Sequence, residues 1–150
     1  SAMAGGQIVR QGYAVGFAPH AAIEPLAATA ALRDGKLELW LGAQLPAQAK
    51  AAAARAIGLD AADVVLHPVM LGGSFGRKFE VEIAAQAALL ALKIGRPVQL
   101  QWSRAEDMMH DRFRPAASAR LAARLGPAGR IEAWHASIAT PDAIGELRER

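Results

Sequence analysis

At 150 residues the chain has the length of one compact domain, and 53% hydrophobic against 21% charged residues argues for a packed core rather than disorder. It contains no uninterrupted apolar run of about 18 residues, the length a membrane-spanning helix needs, and no cysteine, which removes disulfides, thiolate metal sites and cysteine nucleophiles. The net charge of +3 raises nucleic acid as a partner, but the arginines at 104, 112, 114, 120, 124 and 130 are spread singly, without a basic block interleaved with aromatics, so no nucleic acid is expected.

The first six residues, Ser1 to Gly6, read as a cloning remnant or linker, since they lack the basic and apolar regions of a signal peptide. Gln7 to Val15 is a candidate strand. The segment His20-Ala21-Ala22-Ile23-Glu24-Pro25 is irregular, and Leu26 to Leu32 returns to strand-like character before a turn at Arg33-Asp34-Gly35. Lys36 to Trp40 alternates polar and apolar residues and completes a hairpin. Pro46 stands where a first helical residue is favoured, Ala47 to Ile57 is rich in helix formers, and Gly58 fits a C-terminal cap.

Asp63 to Met70 is the next predicted strand, followed by a glycine loop and a helix from Glu80 to Ile94 whose acidic start suits the positive end of the helix dipole. Gly95 and Pro97 end it. Val98 to Trp102 alternates again, and Ser103 with Glu106 forms a capping-box pattern for a short helix. Strands at about 116–125 and 130–139 flank a Gly126-Pro127-Ala128-Gly129 turn, and residues 143–150 form a charged tail. The order predicts an α+β fold over a single domain, 7–142, with a mixed or antiparallel sheet and two main helices.

The stretch Leu71-Gly72-Gly73-Ser74-Phe75-Gly76-Arg77-Lys78 lies between a strand and a helix. Glycines there let the backbone approach a ligand, and a loop opening onto a helix N-terminus offers N–H groups to an anion. Arg77 and Lys78 add positive charge, and Phe75 reads as a wall against a ligand. The spacing is neither the dinucleotide fingerprint nor a Walker A loop, so a plain tight turn stays open as an alternative. Gln44, between a strand and a helix, is a ligand contact or a solvent-facing amide. Glu24, before a proline, is expected to be a paired structural carboxylate. His20, His67, His110 and His135 show no metal-ligand spacing, so no direct metal ligand is expected, and His110-Asp111 with Arg112 and Arg114 suggests a polar surface corner. Ser74 has no nucleophile setting.

Taken in order, His20-Ala-Ala-Ile-Glu24-Pro25, Leu39-Trp40-Leu-Gly-Ala-Gln44, Gly72-Gly73-Ser74-Phe75-Gly76-Arg77, Gly95-Arg96-Pro97-Val98, Trp102-Ser-Arg-Ala-Glu106-Asp107 and Arg114-Pro115 resemble the large, molybdenum-binding subunit of the xanthine dehydrogenase and aldehyde oxidase family. The nearest branch is that of the isoquinoline 1-oxidoreductase beta subunit. The resemblance implies a molybdopterin-binding domain cut from a larger subunit, with Gly72, Gly73, Ser74, Phe75, Gly76 and Arg77 as cofactor residues. By the same resemblance Phe75 would also border the substrate pocket, and Gln44 would sit beside a molybdenum ligand. Xanthine dehydrogenases carry a purine-binding glutamate where this chain has Phe79, so aldehydes or aromatic N-heterocycles are the implied substrates. The parent would bind molybdopterin, its cytosine dinucleotide form being left open. It would pair with an iron–sulfur small subunit and hydroxylate substrate with water-derived oxygen. The isolated chain, lacking the rest of the large subunit, is expected to be empty and inactive, and to self-associate through uncovered apolar surface. The alternative reading is a non-catalytic α+β module for anion binding or subunit assembly.

Overall fold

A computed structural model of the chain describes residues 6–142, so the expected linker, apart from Gly6, and the charged tail lie outside the described residues. Over the described residues the architecture is α+β, with seven strands, two main helices and one short one: β1 (Gln7–Val15), β2 (Ala27–Arg33), β3 (Lys36–Leu41), α1 (Pro46–Ile57), β4 (Val64–Pro68), α2 (Glu82–Ile94), β5 (Val98–Gln101), α3 (Arg104–Met109), β6 (Ala117–Leu125) and β7 (Ile131–Ala139). The strands divide between two compact units. One is residues 19–112, and the other joins the N-terminal strand to residues 113 onward. The reason is topological: β1 pairs with β6, more than 100 positions away, rather than with its sequence neighbour β2.

The unit at 19–112 is a four-stranded sheet, ordered β4-β3-β2-β5, packed on α1 and α2. β2 and β3 form a hairpin whose Asp34 and Gly35 both have positive φ, the signature of the type I′ turn that matches strand twist. A chain leaving β3 must cross over to lie parallel to it, and α1 is that crossover before β4. Leu37, Leu39 and Leu41 of β3 are buried at period two against Ala49, Ala53 and Ala54 of α1 and the stripe Ile83, Ala84, Ala87, Ala88 and Ala91 of α2. Each such leucine removed from water is worth about 1.5–3 kcal/mol. The alanines keep the helices close, and Gly58 and Gly95 cap them in the left-handed conformation.

The second unit is an antiparallel sheet ordered β1-β6-β7. Its turn at 127–129 places Ala128 and Gly129 at positive φ.

Predicted boundaries hold or move by one residue, except two beside the glycine loop, which move by two. The fourth strand ends at Pro68 rather than Met70, because its one neighbour, β3, ends at Leu41, whose carbonyl accepts the Val69 N–H at 3.3 Å as the last bond between them. α2 begins at Glu82 rather than Glu80. Residues 77–79 form a single 3₁₀ turn, and Glu80 ends it in extended geometry, so Glu82 is the acidic residue of the helix's first turn.

Candidate functional site

Strand direction brings the motif segments together. β3 and β4 run parallel and end side by side at Leu41 and Pro68, while the register sets the start of β2, at Ala27 and Ala28, against Gln101 of β5 and Leu41 of β3. Residues 20–26, 42–45, 69–81 and 102–111 therefore all emerge at one end of the four-stranded sheet. In open sheets that end, beyond the carboxyl ends of parallel strands, is the usual ligand position.

Gln44 is clamped to the glycine loop. Its backbone N–H donates to the Lys78 carbonyl (3.0 Å), and its side-chain Oε1 accepts from the Ser74 hydroxyl and from the Gly76 N–H (3.2 Å). A backbone N–H can only donate, so the atom facing it must be the oxygen, which settles the orientation of the amide. Its NH₂ group then has no partner among the described residues. Ser74 in turn accepts the Lys78 N–H at 3.0 Å and is buried. Its hydroxyl is thus a brace between Gln44 and the next turn of chain.

The glycines are required by close approach as much as by conformation. A Cβ on Gly72 would lie 2.6 Å from the Glu24 Cβ, inside contact distance. Gly73 and Gly76 have φ of +95° and +110°, and a Cβ on Gly76 would lie 3.2 Å from His20 Nε2. Between them Phe75, a non-glycine residue at φ +58°, is held in the left-handed region with its side chain 65% exposed. Such strain in a bulky residue is uncommon and concentrates at ligand sites.

The structure departs from the sequence expectation on the loop's charge. Arg77 is 2% exposed, and its guanidinium pairs with Glu82 (2.9 Å), Asp111 (3.5 Å) and Asp107 (3.7 Å) and stacks over Trp102. Lys78 is buried and its ammonium is bonded to Glu24. Both cations are neutralised internally, so neither presents the free positive charge that was expected for a phosphate. A buried cation without a counter-charge would be costly, which is why the fold supplies carboxylates from 24, 82, 107 and 111. The anion cradle of N–H groups is likewise largely occupied. Gly72 donates to Glu24 (2.8 Å), Gly76 to Gln44, Arg77 to the Ser74 carbonyl and Phe79 to the Gly76 carbonyl. Gly73 keeps an N–H without a partner among the described residues.

Glu24 is the paired structural carboxylate expected. Burial works against its charge, but the Lys78 ammonium and the Gly72 N–H outweigh that and hold it below its usual pKa of 4.5.

Three positioning residues escaped the reading of individual side chains. His20 Nδ1 lies 2.7 Å from Asp111 Oδ1, and the His20 backbone N–H donates to the same carboxylate at 2.5 Å. Asp111 is thus a buried anchor, not part of a surface corner, because its partners lie 91 positions upstream where sequence spacing has no reach. Arg104 binds Asp107 (2.9 Å) and the carbonyls of Ala22 and Ile23, strapping the segment that bears Glu24. His20 and Arg104 do fall inside the segments that carry the family resemblance, which was the signal available.

Residues 1–142 match the family described as the molybdopterin cofactor-binding domain. The chain belongs to that family, within the molybdenum hydroxylases. It is 33% identical over 115 residues to the isoquinoline 1-oxidoreductase subunit beta of Brevundimonas diminuta, covering 76% of this chain and 15% of that protein. To the membrane-bound aldehyde dehydrogenase [pyrroloquinoline-quinone] of Gluconacetobacter polyoxogenes it is 29% identical, covering 95% and 18%. Among solved structures, the aldehyde oxidoreductase from Desulfovibrio gigas superposes with a TM-score of 0.70 at 26% identity, over 93% of this chain and 16% of that one. Quinoline 2-oxidoreductase from Pseudomonas putida 86 shares the fold, at a TM-score of 0.68, 21% identity and coverage of 91% and 18%. The chain thus spans less than a fifth of the length of each of these relatives.

Proposed function

We propose that the chain forms part of the molybdopterin-holding wall in the large subunit of a molybdenum hydroxylase acting on aldehydes or aromatic N-heterocycles. The observation that carries this reading is the fixed Gln44 amide. Its oxygen is occupied by Ser74 and Gly76, while its NH₂ is left without a partner at the sheet end where the motif loops gather. An uncharged amide of this kind donates to an oxygen ligand of a metal without displacing it. The residues present fit the group: an oriented donor, an open N–H at Gly73 and an exposed aromatic at Phe75.

When bound, the cofactor supplies the redox chemistry that hydroxylates substrate with water-derived oxygen. Gln44 orients a ligand of the metal, and Phe75 walls the substrate and restricts the angle at which a flat ring or an aldehyde enters. The glycine loop of Gly72, Gly73 and Gly76 would hold the cofactor, with the Gly73 N–H as its open backbone donor. Ser74 braces Gln44, and Arg77 holds the loop's base by its carboxylate pairs rather than touching phosphate through its side chain. The rest of the large subunit and an iron–sulfur small subunit complete the enzyme, and the isolated chain is inactive. A loop-centred anion-binding module is the weaker reading, because Arg77 and Lys78 are both internally neutralised.

The test is molybdenum content and turnover of the full-length parent, co-expressed with its neighbouring subunits, as wild type and Gln44→Ala. Stoichiometric metal in the wild type with turnover lost in the variant supports the reading. A correctly assembled, cofactor-supplied complex without metal overturns it.

A further inference from the structure

The charge of this chain is unevenly divided. Residues 19–112 hold ten Lys/Arg and ten Asp/Glu and are neutral, whereas the remainder holds seven against four and so carries the whole excess of +3. The antiparallel sheet β1-β6-β7 orders part of that excess on one face. Its register sets Arg10 opposite Ala122 and Ala122 opposite His135, and in the adjoining row Gly12 opposite Arg120 and Arg120 opposite Ser137.

Side chains alternate faces along a strand, so these six residues share one face, with the bulky basic groups and the small residues in a checkerboard. The result is a depression of about 660 Å³ with a floor of Gly12, Ala122 and Ser137 and a rim of Arg10, Arg120 and His135. That volume lies in the range of small-molecule sites, about 300–1,000 Å³. Arg10, Arg120 and His135 have no carboxylate partner among the described residues, whereas Arg124 on the same strand pairs with Glu132 at 3.4 Å. Two guanidinium groups on diagonally neighbouring positions repel one another unless an anion lies between them.

We infer that this face binds a phosphoryl group, as a free phosphate or as the phosphate end of a larger ligand. Two guanidinium forks and an imidazole present donors around a tetrahedral dianion, and the Ser137 hydroxyl adds a neutral donor from the floor. The small residues are what let the anion descend between the arginines instead of resting above them. This site is independent of the molybdopterin reading, since none of its residues belongs to the glycine loop.

The experiment is a titration of the isotope-labelled full chain with inorganic pyrophosphate at low ionic strength, following the His135 imidazole and arginine Nε–H signals by NMR. Succinate serves as a dicarboxylate control. The expected result is a saturable shift at His135, weakened at least tenfold in Arg10→Gln/Arg120→Gln and unchanged in Arg130→Gln. Ser137→Glu, which places a carboxylate on the floor, abolishes it and serves where the double variant is poorly folded. A shift that never saturates, an equal response of the double variant, or equal binding of succinate overturns the proposal.

Discussion

His20 and Asp111, 91 positions apart, form a buried pair: the imidazole Nδ1 is 2.7 Å from the carboxylate, and both side chains are at most 10% exposed. The carboxylate also accepts the His20 backbone N–H and lies 3.5 Å from Arg77. One aspartate thus ties the histidine segment, the base of the glycine loop and the end of α3 together.

Asp111→Ala removes the acceptor for two donors and a counter-charge of Arg77, leaving polar groups buried and unpaired. Loss of one partner from such a network costs about 3–5 kcal/mol. Thermal unfolding of the full chain is expected to show a marked fall in Tm, with Asp111→Asn intermediate because it keeps one acceptor oxygen. A variant as stable as wild type would show that the pair contributes nothing.

Glu24 has a folded pKa below its unfolded value, so folding favours its ionised form. The stability it contributes is fully present above pH 4.5, its unfolded value, and is lost as the pH falls through the lowered folded pKa. Denaturant unfolding across pH 2–7 is the check, about the span in which carboxylates titrate. The gap in stability between wild type and Glu24→Gln is widest near neutrality and narrows in acid. A gap independent of pH would mean that the carboxylate's charge does no work in the Lys78 pair.

Phe75 occupies a left-handed backbone while its side chain is mostly exposed. Replacing it by glycine relieves a strain of about 1–2 kcal/mol per residue. Phe75→Gly is therefore expected to be at least as stable as wild type in chemical denaturation, while the full-length parent loses substrate affinity or turnover. Clear destabilisation would make Phe75 a packing residue instead.

Apart from Gln7 and Gln11, the second face of the β1-β6-β7 sheet is apolar. Val9, Ala123 and Trp134 form one row and Tyr13, Ala119 and Ile138 another, and the large residues among them are exposed. Contiguous apolar surface of this kind drives association. Sedimentation velocity of the isolated chain is expected to show concentration-dependent self-association that Trp134→Ser/Ile138→Ser abolishes. Identical behaviour of the two proteins would place the association elsewhere, and a monomeric wild type would refute it.

Much of this protein is written locally. Strand alternation in Lys36–Leu41, proline at the start of α1, Gly58 and Gly95 after the helices and the Asp34-Gly35 turn all act within a few residues, where sterics and hydrogen bonding decide the outcome. The ordered motifs carried the family in the same way, because each one is contiguous. What the sequence could not show was decided by contacts across 30 or more positions. Pairing of β1 with β6 divides the strands between two units, and the Asp107 and Asp111 carboxylates help to turn Arg77 inward. The bonds from Ser74 and Gly76 settle which end of the Gln44 amide stays open. A side chain's charge and size can be read from its letter, but whether that charge meets solvent, a ligand or a buried partner depends on which distant segment the topology folds against it.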